Sequence, residues 1–177
     1  MKKRKEMNVV YLLFLILLAF SLSACSPSPE FERYEGGSLQ IAVVGEAPDV
    51  KEEQIKFTEI PLEELTIEGI KAYDAVFIME NQLSEAAEDQ YADLYLDSPI
   101  PIFFMGTDNY VPFVEKELAY DQEMDWTAGT DYAVGILRTK EDSIKKWAYG
   151  LYNDEKTDEH VRDVYSRIFE TIDGLQQ

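Results

Sequence analysis

Five short apolar runs set the architecture of this chain: Leu39–Val44, Ile55–Ile60, Ala75–Met79, Ile100–Met105 and Tyr132–Leu137. Each has the length of a strand, is rich in Val, Ile, Phe or other apolar residues, and is separated from the next by polar or helix-patterned sequence. Several are apolar at nearly every position. A strand with one wet face alternates apolar and polar residues, whereas a strand covered by helices on both faces does not, so these runs read as parallel strands inside a sandwich. Strands alternating with helices define the α/β class.

The helices are legible from spacing and punctuation. Ser84 is placed to cap a segment in which Ala87, Tyr91, Leu94 and Tyr95 share a face, and Glu85 and Glu88 favour its positive start. Pro112 suits the first turn of a helix that directs Phe113, Val114 and Leu118 inward. Ile144, Trp147, Ala148 and Leu151 form a later helical stripe, and Val161, Val164, Tyr165, Ile168 and Ile172 form another, closed by Gly174. Asp121–Asp131, with Trp126 and Gly129, is a long loop of the kind that carries function. The expected fold is a flavodoxin-like three-layer sandwich with a mainly parallel sheet of about five strands. It forms one domain over residues 39–177.

Ahead of that domain the chain has a different character. Lys2, Lys3, Arg4 and Lys5 precede an apolar run from Val9 to Phe20, which is shorter than the roughly 20 residues of a spanning helix. Leu22-Ser23-Ala24-Cys25 follows directly. This arrangement resembles the lipobox of bacterial lipoprotein precursors. The resemblance implies a signal peptide over residues 1–24, cleavage before Cys25, a thioether-linked diacylglycerol on Cys25 and usually a further acyl chain of the palmitate type on its amino group. Two or three chains anchor stably, because each buried methylene adds about 0.8 kcal/mol. The implied location is the extracytoplasmic face of the cell membrane, or the outer membrane of a two-membrane cell, and Ser26 leaves both open. Ser26–Ser38, reading SPSPEFERYEGGS, has the Pro, Ser and Gly content of a tether, so residues 25–38 are expected to form a lipidated flexible spacer.

Without Met1–Ala24 there remain 153 residues, carrying 12 basic and 34 acidic side chains and a formal charge of −22. That length suits one domain. So acidic a surface repels nucleic acid and anionic lipid, and it favours a cationic ligand or an envelope protein as partner. Plain solvation of an exported protein by its carboxylates is the competing explanation, and the stronger one. With Cys25 acylated, no thiol remains for a disulfide, a thiolate metal site or a nucleophile.

Ligands of open parallel sheets collect beyond the carboxyl ends of the strands. Gly45 and Glu46, Glu80 and Asn81, Thr107 and Asp108, and Thr139 and Lys140 follow the first, third, fourth and last runs. Glu46, Glu80, Thr107, Asp108 and Lys140 therefore constitute the candidate ligand site, against the reading that they are solvated strand ends. Tyr73–Glu80, Pro101–Thr107 and Lys140 are similar in order to response-regulator receiver domains, in which an acid, a hydroxyl and a lysine stand at successive strand ends. The similarity spans most of Leu39–Lys140. Its departures weigh against phosphorelay: Glu80 replaces the phosphoaccepting Asp, Glu46 stands alone where a pair of acids is needed, and Ala47–Gln54 is short for a crossover helix.

Other chemistries lack their residues. Gly45-Glu46-Ala47-Pro48-Asp49 has neither the glycines of a dinucleotide loop nor the hydroxyls of a flavodoxin phosphate loop, so no nucleotide, flavin or other cofactor is expected. Ala75–Thr107 also looks like parts of class I glutamine-amidotransferase-like folds, but Ile102–Gly106 holds no Cys or Ser nucleophile. His160, the one histidine, is expected at the surface, with no triad or zinc site around it. Glu52-Glu53, Glu63-Glu64 and Asp154–Glu159 raise the possibility of calcium, yet none has the ligand order of an EF-hand, and no metal is assigned. The expected function is a membrane-anchored, non-enzymatic module that binds a protein or a ligand. The alternative is a carboxylate- or metal-dependent hydrolase built on Glu46, Glu80 and Asp108.

Overall fold

Six strands form one sheet: β1 (Leu39–Val44), β2 (Ile55–Glu59), β3 (Ala75–Ile78), β4 (Ile102–Met105), β5 (Asp131–Arg138) and β6 (Ile144–Gly150), in the order β2-β1-β3-β4-β5-β6. The computed structural model describes residues 31–139, 141 and 143–176. The leader, Cys25 and Lys140 lie outside the described residues. All residues of β3 and β4 are buried, as is β1 apart from Gln40, which is the two-face covering that their unbroken apolar sequence requires.

The pairings β1·β2, β1·β3 and β3·β4 are parallel, while β4·β5 and β5·β6 are antiparallel. The α/β class is as expected, but the sheet has six strands and is mixed. Two causes are visible. No helix longer than a single 3₁₀ turn lies between β4 and β5, so the chain re-enters the sheet from the edge at which β4 left it. The stripe Ile144, Trp147, Ala148 and Leu151, expected as a helix, belongs to β6 and its exit. Trp147, Tyr149 and Leu151 also recur with period two, and all three pack on one face of the sheet. Seven residues rich in Ile, Trp and Tyr, ended by Gly150, suit a strand better than a helix of three turns.

Helices cover both faces. α4 (Asp158–Leu175) packs Val164, Tyr165, Ile168, Phe169 and Ile172 against Ile41, Val43, Phe77 and Phe103. Its cap is Thr157, whose hydroxyl accepts from the His160 N–H, and the helix runs through Gly174 to Leu175. Phe77, fully buried, stacks on Phe169 and Tyr165 and meets Phe103 edge-on. Burying such a ring contributes about 2–3 kcal/mol. On the other face lie α1 (Ile67–Ile70), α2 (Leu83–Ala86), α3 (Asp89–Asp97) and a 3₁₀ turn at Val111–Phe113. They seal Val44, Val76, Ile78, Ile102 and Phe104.

Three expected details differ. Ser84 lies inside α2 rather than at a cap, because α2 and α3 are separate short helices broken at Ala87 and Glu88. The segment after Pro112 closes only one 3₁₀ turn: Phe113 stacks on Phe104 with centroids 3.9 Å apart, and Val114 is buried, but Leu118 is exposed. Tyr34, assigned to the tether, is buried in the core against Phe169. The packed body thus reaches back beyond Leu39. Between β1 and β2 there is no helix, and Glu52 instead ties this connection to α4 by accepting from the Ser166 hydroxyl at 2.8 Å. Among the described residues, no helix is long and apolar enough to cross a membrane.

Candidate functional site

The carboxyl ends of β1, β3 and β4 open into a polar crevice. Gly45 and Gly106, which leave β1 and β4 at φ +110° and +89°, bend the chain sharply where a side chain would not fit. A Cβ on Gly106 would lie 2.5 Å from the Cγ of Glu80, and one on Gly45 would lie 2.9 Å from the Cβ of Met79. These close approaches draw the end of β3 between its neighbours. The crevice, of about 770 Å³, is lined by Glu46, Asp49, Glu80, Asn81, Asp125 and Tyr132 among others. A second cavity of about 510 Å³ adjoins it, sharing Asp49, Met79 and Tyr132, and is bounded by Lys156, Asp158 and Arg162.

Of the residues expected here, Glu46 and Glu80 line the crevice. Thr107 does not. It is fully buried, its hydroxyl donates to the Met124 carbonyl at 2.8 Å, and it accepts from the Asn109 N–H at 3.2 Å. Its work is to pin the long β4–β5 connection, which also pairs with it at Asp125. Asp108 is exposed and is not part of the crevice wall. Thr139 follows the end of β5, and because β5 is antiparallel to β4 it sits at the opposite edge of the sheet, in a hairpin closed by Ser143.

From the adjoining cavity Lys156 reaches the crevice wall, its Nζ donating to Glu80 Oε2 at 2.6 Å. The same Nζ lies 5.3 Å from the ring centre of Tyr132 and 5.9 Å from that of Trp126. These two rings stand at 75° with centroids 6.3 Å apart, forming a corner. Each wall is fixed from its own side. A register shift between Asp131 and Ala133 puts Tyr132 on the same face of the sheet as Ala133, the re-aiming that a β-bulge produces. Trp126 donates its backbone N–H to Gly106 and its indole N–H to Thr130. Tyr120 donates to Asp125 Oδ1 at 3.0 Å and holds that carboxylate at the crevice.

Burial, reinforced by the charge of Glu80, pushes the Tyr132 hydroxyl up to about 12. Burial likewise pushes Tyr120 and Tyr165 upward, with Glu80 again adding to it. The phenols facing Glu80 therefore stay neutral over any physiological pH. His160 is buried, contrary to expectation. Its Nδ1 donates to the Glu155 carbonyl at 2.8 Å, and its ring meets Tyr152 edge-on. It braces the turn that presents Lys156, in which Asn153 and Asp154 both adopt left-handed backbone. On the far side, Arg162 bonds Asp49 Oδ2 at 2.8 Å and its carbonyl at 3.2 Å.

Sequence reasoning missed Lys156 because it stands within an acid-rich run, Asp154–Glu159. Its signal was positional: it directly precedes Thr157, a good helix cap, in the turn that follows β6. Trp126 and Asp125 lie in the loop that sequence did single out. Among the described residues, no three Asp, Glu, His or Cys side chains converge closely enough to hold a metal ion. Comparison of the chain with protein-family models, curated proteins and solved structures gives no match.

Proposed function

We propose that this chain is a lipid-anchored, non-enzymatic module on the extracytoplasmic face of the membrane, and that it binds an organic cation in the strand-end crevice. The observation that carries the reading is the composition of the crevice: Glu46, Asp49, Glu80 and Asp125 converge on one open cavity of about 770 Å³, a volume typical of small-molecule sites. Lys156 and Arg162 pair with Glu80 and Asp49 from the adjoining cavity, but every charged residue on the wall of the crevice itself is acidic, and a concave wall of that kind focuses the field of a strongly acidic protein and raises the local concentration of cations. Asp108, one of the carboxylates on which the alternative hydrolase is built, does not line that cavity, and on that ground we favour binding.

Kinship with flavodoxin-like folds is part of the same proposal. The order β2-β1-β3-β4-β5 matches theirs, and the reversal of β5 together with the missing first crossover helix marks a variant. Anchoring rests on the lipobox resemblance. Cys25→Ala is expected to abolish incorporation of labelled palmitate and to leave the precursor uncleaved, and retention of both would reject the anchor.

Binding is tested by calorimetry on the full lipidated chain in detergent micelles, with spermidine as the probe. Saturable binding is expected, with a loss of about tenfold or more in affinity on combining Glu46→Gln with Asp125→Asn. Absence of binding by the wild type, or equal binding by the double variant, would reject the crevice as the site.

A further inference from the structure

Lys156 sits where a bound ammonium ion would sit. Its Nζ has a carboxylate at 2.6 Å and two perpendicular aromatic faces at 5.3 and 5.9 Å, the combination that recognises alkylammonium groups. The other lysines near aromatic rings differ: Lys145 lies over Trp147 and Lys146 over Tyr110, each with a single ring. We propose that Trp126, Tyr132 and Glu80 form a receptor for the primary ammonium group of a small organic amine, and that Lys156 fills it as an internal, displaceable stand-in. This rests on the crevice reading above and names the head group the crevice takes.

The walls are built without help from their occupant. Tyr132 is fixed in β5 by the bulge, Trp126 by its two hydrogen bonds, and Glu80 by its close approach to Gly106. The occupant is held less firmly. Lys156 and Glu80 have side chains 38% and 43% exposed, and a pair so solvated contributes little to stability. Displacement is therefore cheap. The place is also reachable, since Glu80 lines one cavity and Lys156 the adjoining one. An incoming amine would make the same bond to Glu80 and the same contacts to both rings, while the Lys156 ammonium swung out into solvent. As a tethered competitor at millimolar effective concentration, Lys156 raises the apparent dissociation constant of any external amine.

Removing that competitor is the test. Propylammonium chloride is titrated into the full lipidated chain in micelles, followed by calorimetry, for the wild type, Lys156→Ala and, should that variant not fold, Lys156→Gln. The lysine-free protein is expected to bind about tenfold more tightly than the wild type. Adding Trp126→Leu or Glu80→Gln in that background is expected to remove the gain, and 1-butanol, a neutral probe of similar length, to bind no better than it does to the wild type. Equal affinity with and without Lys156, a gain that survives Trp126→Leu and Glu80→Gln, or an equal gain for the alcohol would each overturn the proposal. If spermidine binds the wild type through Glu46 and Asp125 but Lys156→Ala gains nothing, the receptor is refuted and the crevice stands. A gain for propylammonium without spermidine binding is the reverse case.

Discussion

Gly106→Ala probes how the fold shapes the crevice, because two separate costs meet at one atom. Gly106 has φ +89°, and a Cβ there would fall 2.5 Å from the Cγ of Glu80, 2.8 Å from its Cβ and 2.9 Å from its Cδ. An L residue in left-handed backbone costs about 1–2 kcal/mol. The clash reaches the root of the Glu80 side chain, which cannot swing away, so β3 or β4 must shift, and such overpacking costs about 1–3 kcal/mol. Loss of the exposed Lys156–Glu80 pair adds at most about 1 kcal/mol. The expected destabilisation is about 2–6 kcal/mol, and at about 3 °C per kcal/mol for a domain of this size Tm falls by about 6–18 °C.

Gly129→Ala is the internal control. Its φ is +95°, yet a Cβ there meets nothing within 4 Å, so it carries the backbone cost alone, about 1–2 kcal/mol. Thermal unfolding of both variants, followed by circular dichroism, separates the two contributions. Glu80→Ala removes Cγ and Cδ and is expected to recover part of the loss in Gly106→Ala but none in Gly129→Ala. Equal destabilisation by the two glycine substitutions, or absence of coupling to Glu80, would refute the close packing of β3 against the β4 exit.

Two further predictions concern the core. Gly135→Ala is expected to cost about 1–3 kcal/mol in urea unfolding, because its Cβ would lie 2.4 Å from Cε1 of the fully buried Phe103, whose ring also packs on Phe77 and Trp147; unchanged stability would contradict that packing. Tyr132 is raised to about 12 from 10.0, and Tyr95 and Tyr165 are raised further. A phenol whose folded value exceeds its unfolded one contributes stability that is complete below pH 10 and is lost as pH rises towards the folded value. Tyrosinate absorbance of these groups is therefore expected to appear together with unfolding above about pH 10, and ionisation near the ordinary value with secondary structure intact would refute their burial.

Much of the sheet was legible because its strands are nearly saturated with apolar residues. β1 matches its sequence reading, and β2 to β5 differ only by a residue or two at their ends. Strand direction was not legible. Apolar runs report burial on two faces, and β5, lying between β4 and β6 with its own residues Ala133 and Val134 buried on opposite sides, meets that condition whichever way it runs. β6 was misread because it is a short edge strand whose alternation is incomplete: Trp147 and Tyr149 face the core with exposed Ala148 between them, but Lys145 on that same side is exposed, and in seven residues the spacing of Ile144, Trp147 and Ala148 also fits the 3.6 period of a helix.

That one reversal decides which residues reach the crevice. Had β5 run parallel to β4, its carboxyl end, which Thr139 and Lys140 follow in sequence, would have lain on the Glu80 side of the sheet, where the order of receiver domains implies a lysine. Because it runs back, the amino end of β5 reaches the crevice instead and supplies Tyr132, while the long loop before it supplies Trp126 and Asp125. β6 then returns to the same edge, since Gly150 pairs with Asp131, and hands the chain to the turn carrying Lys156. Glu46 and Glu80 follow parallel strands, whose ends follow from hydropathy alone, so these two carboxylates could be found from sequence. The rings and the lysine come from the antiparallel return, and they reach Glu80 only through strand pairing that no local pattern encodes.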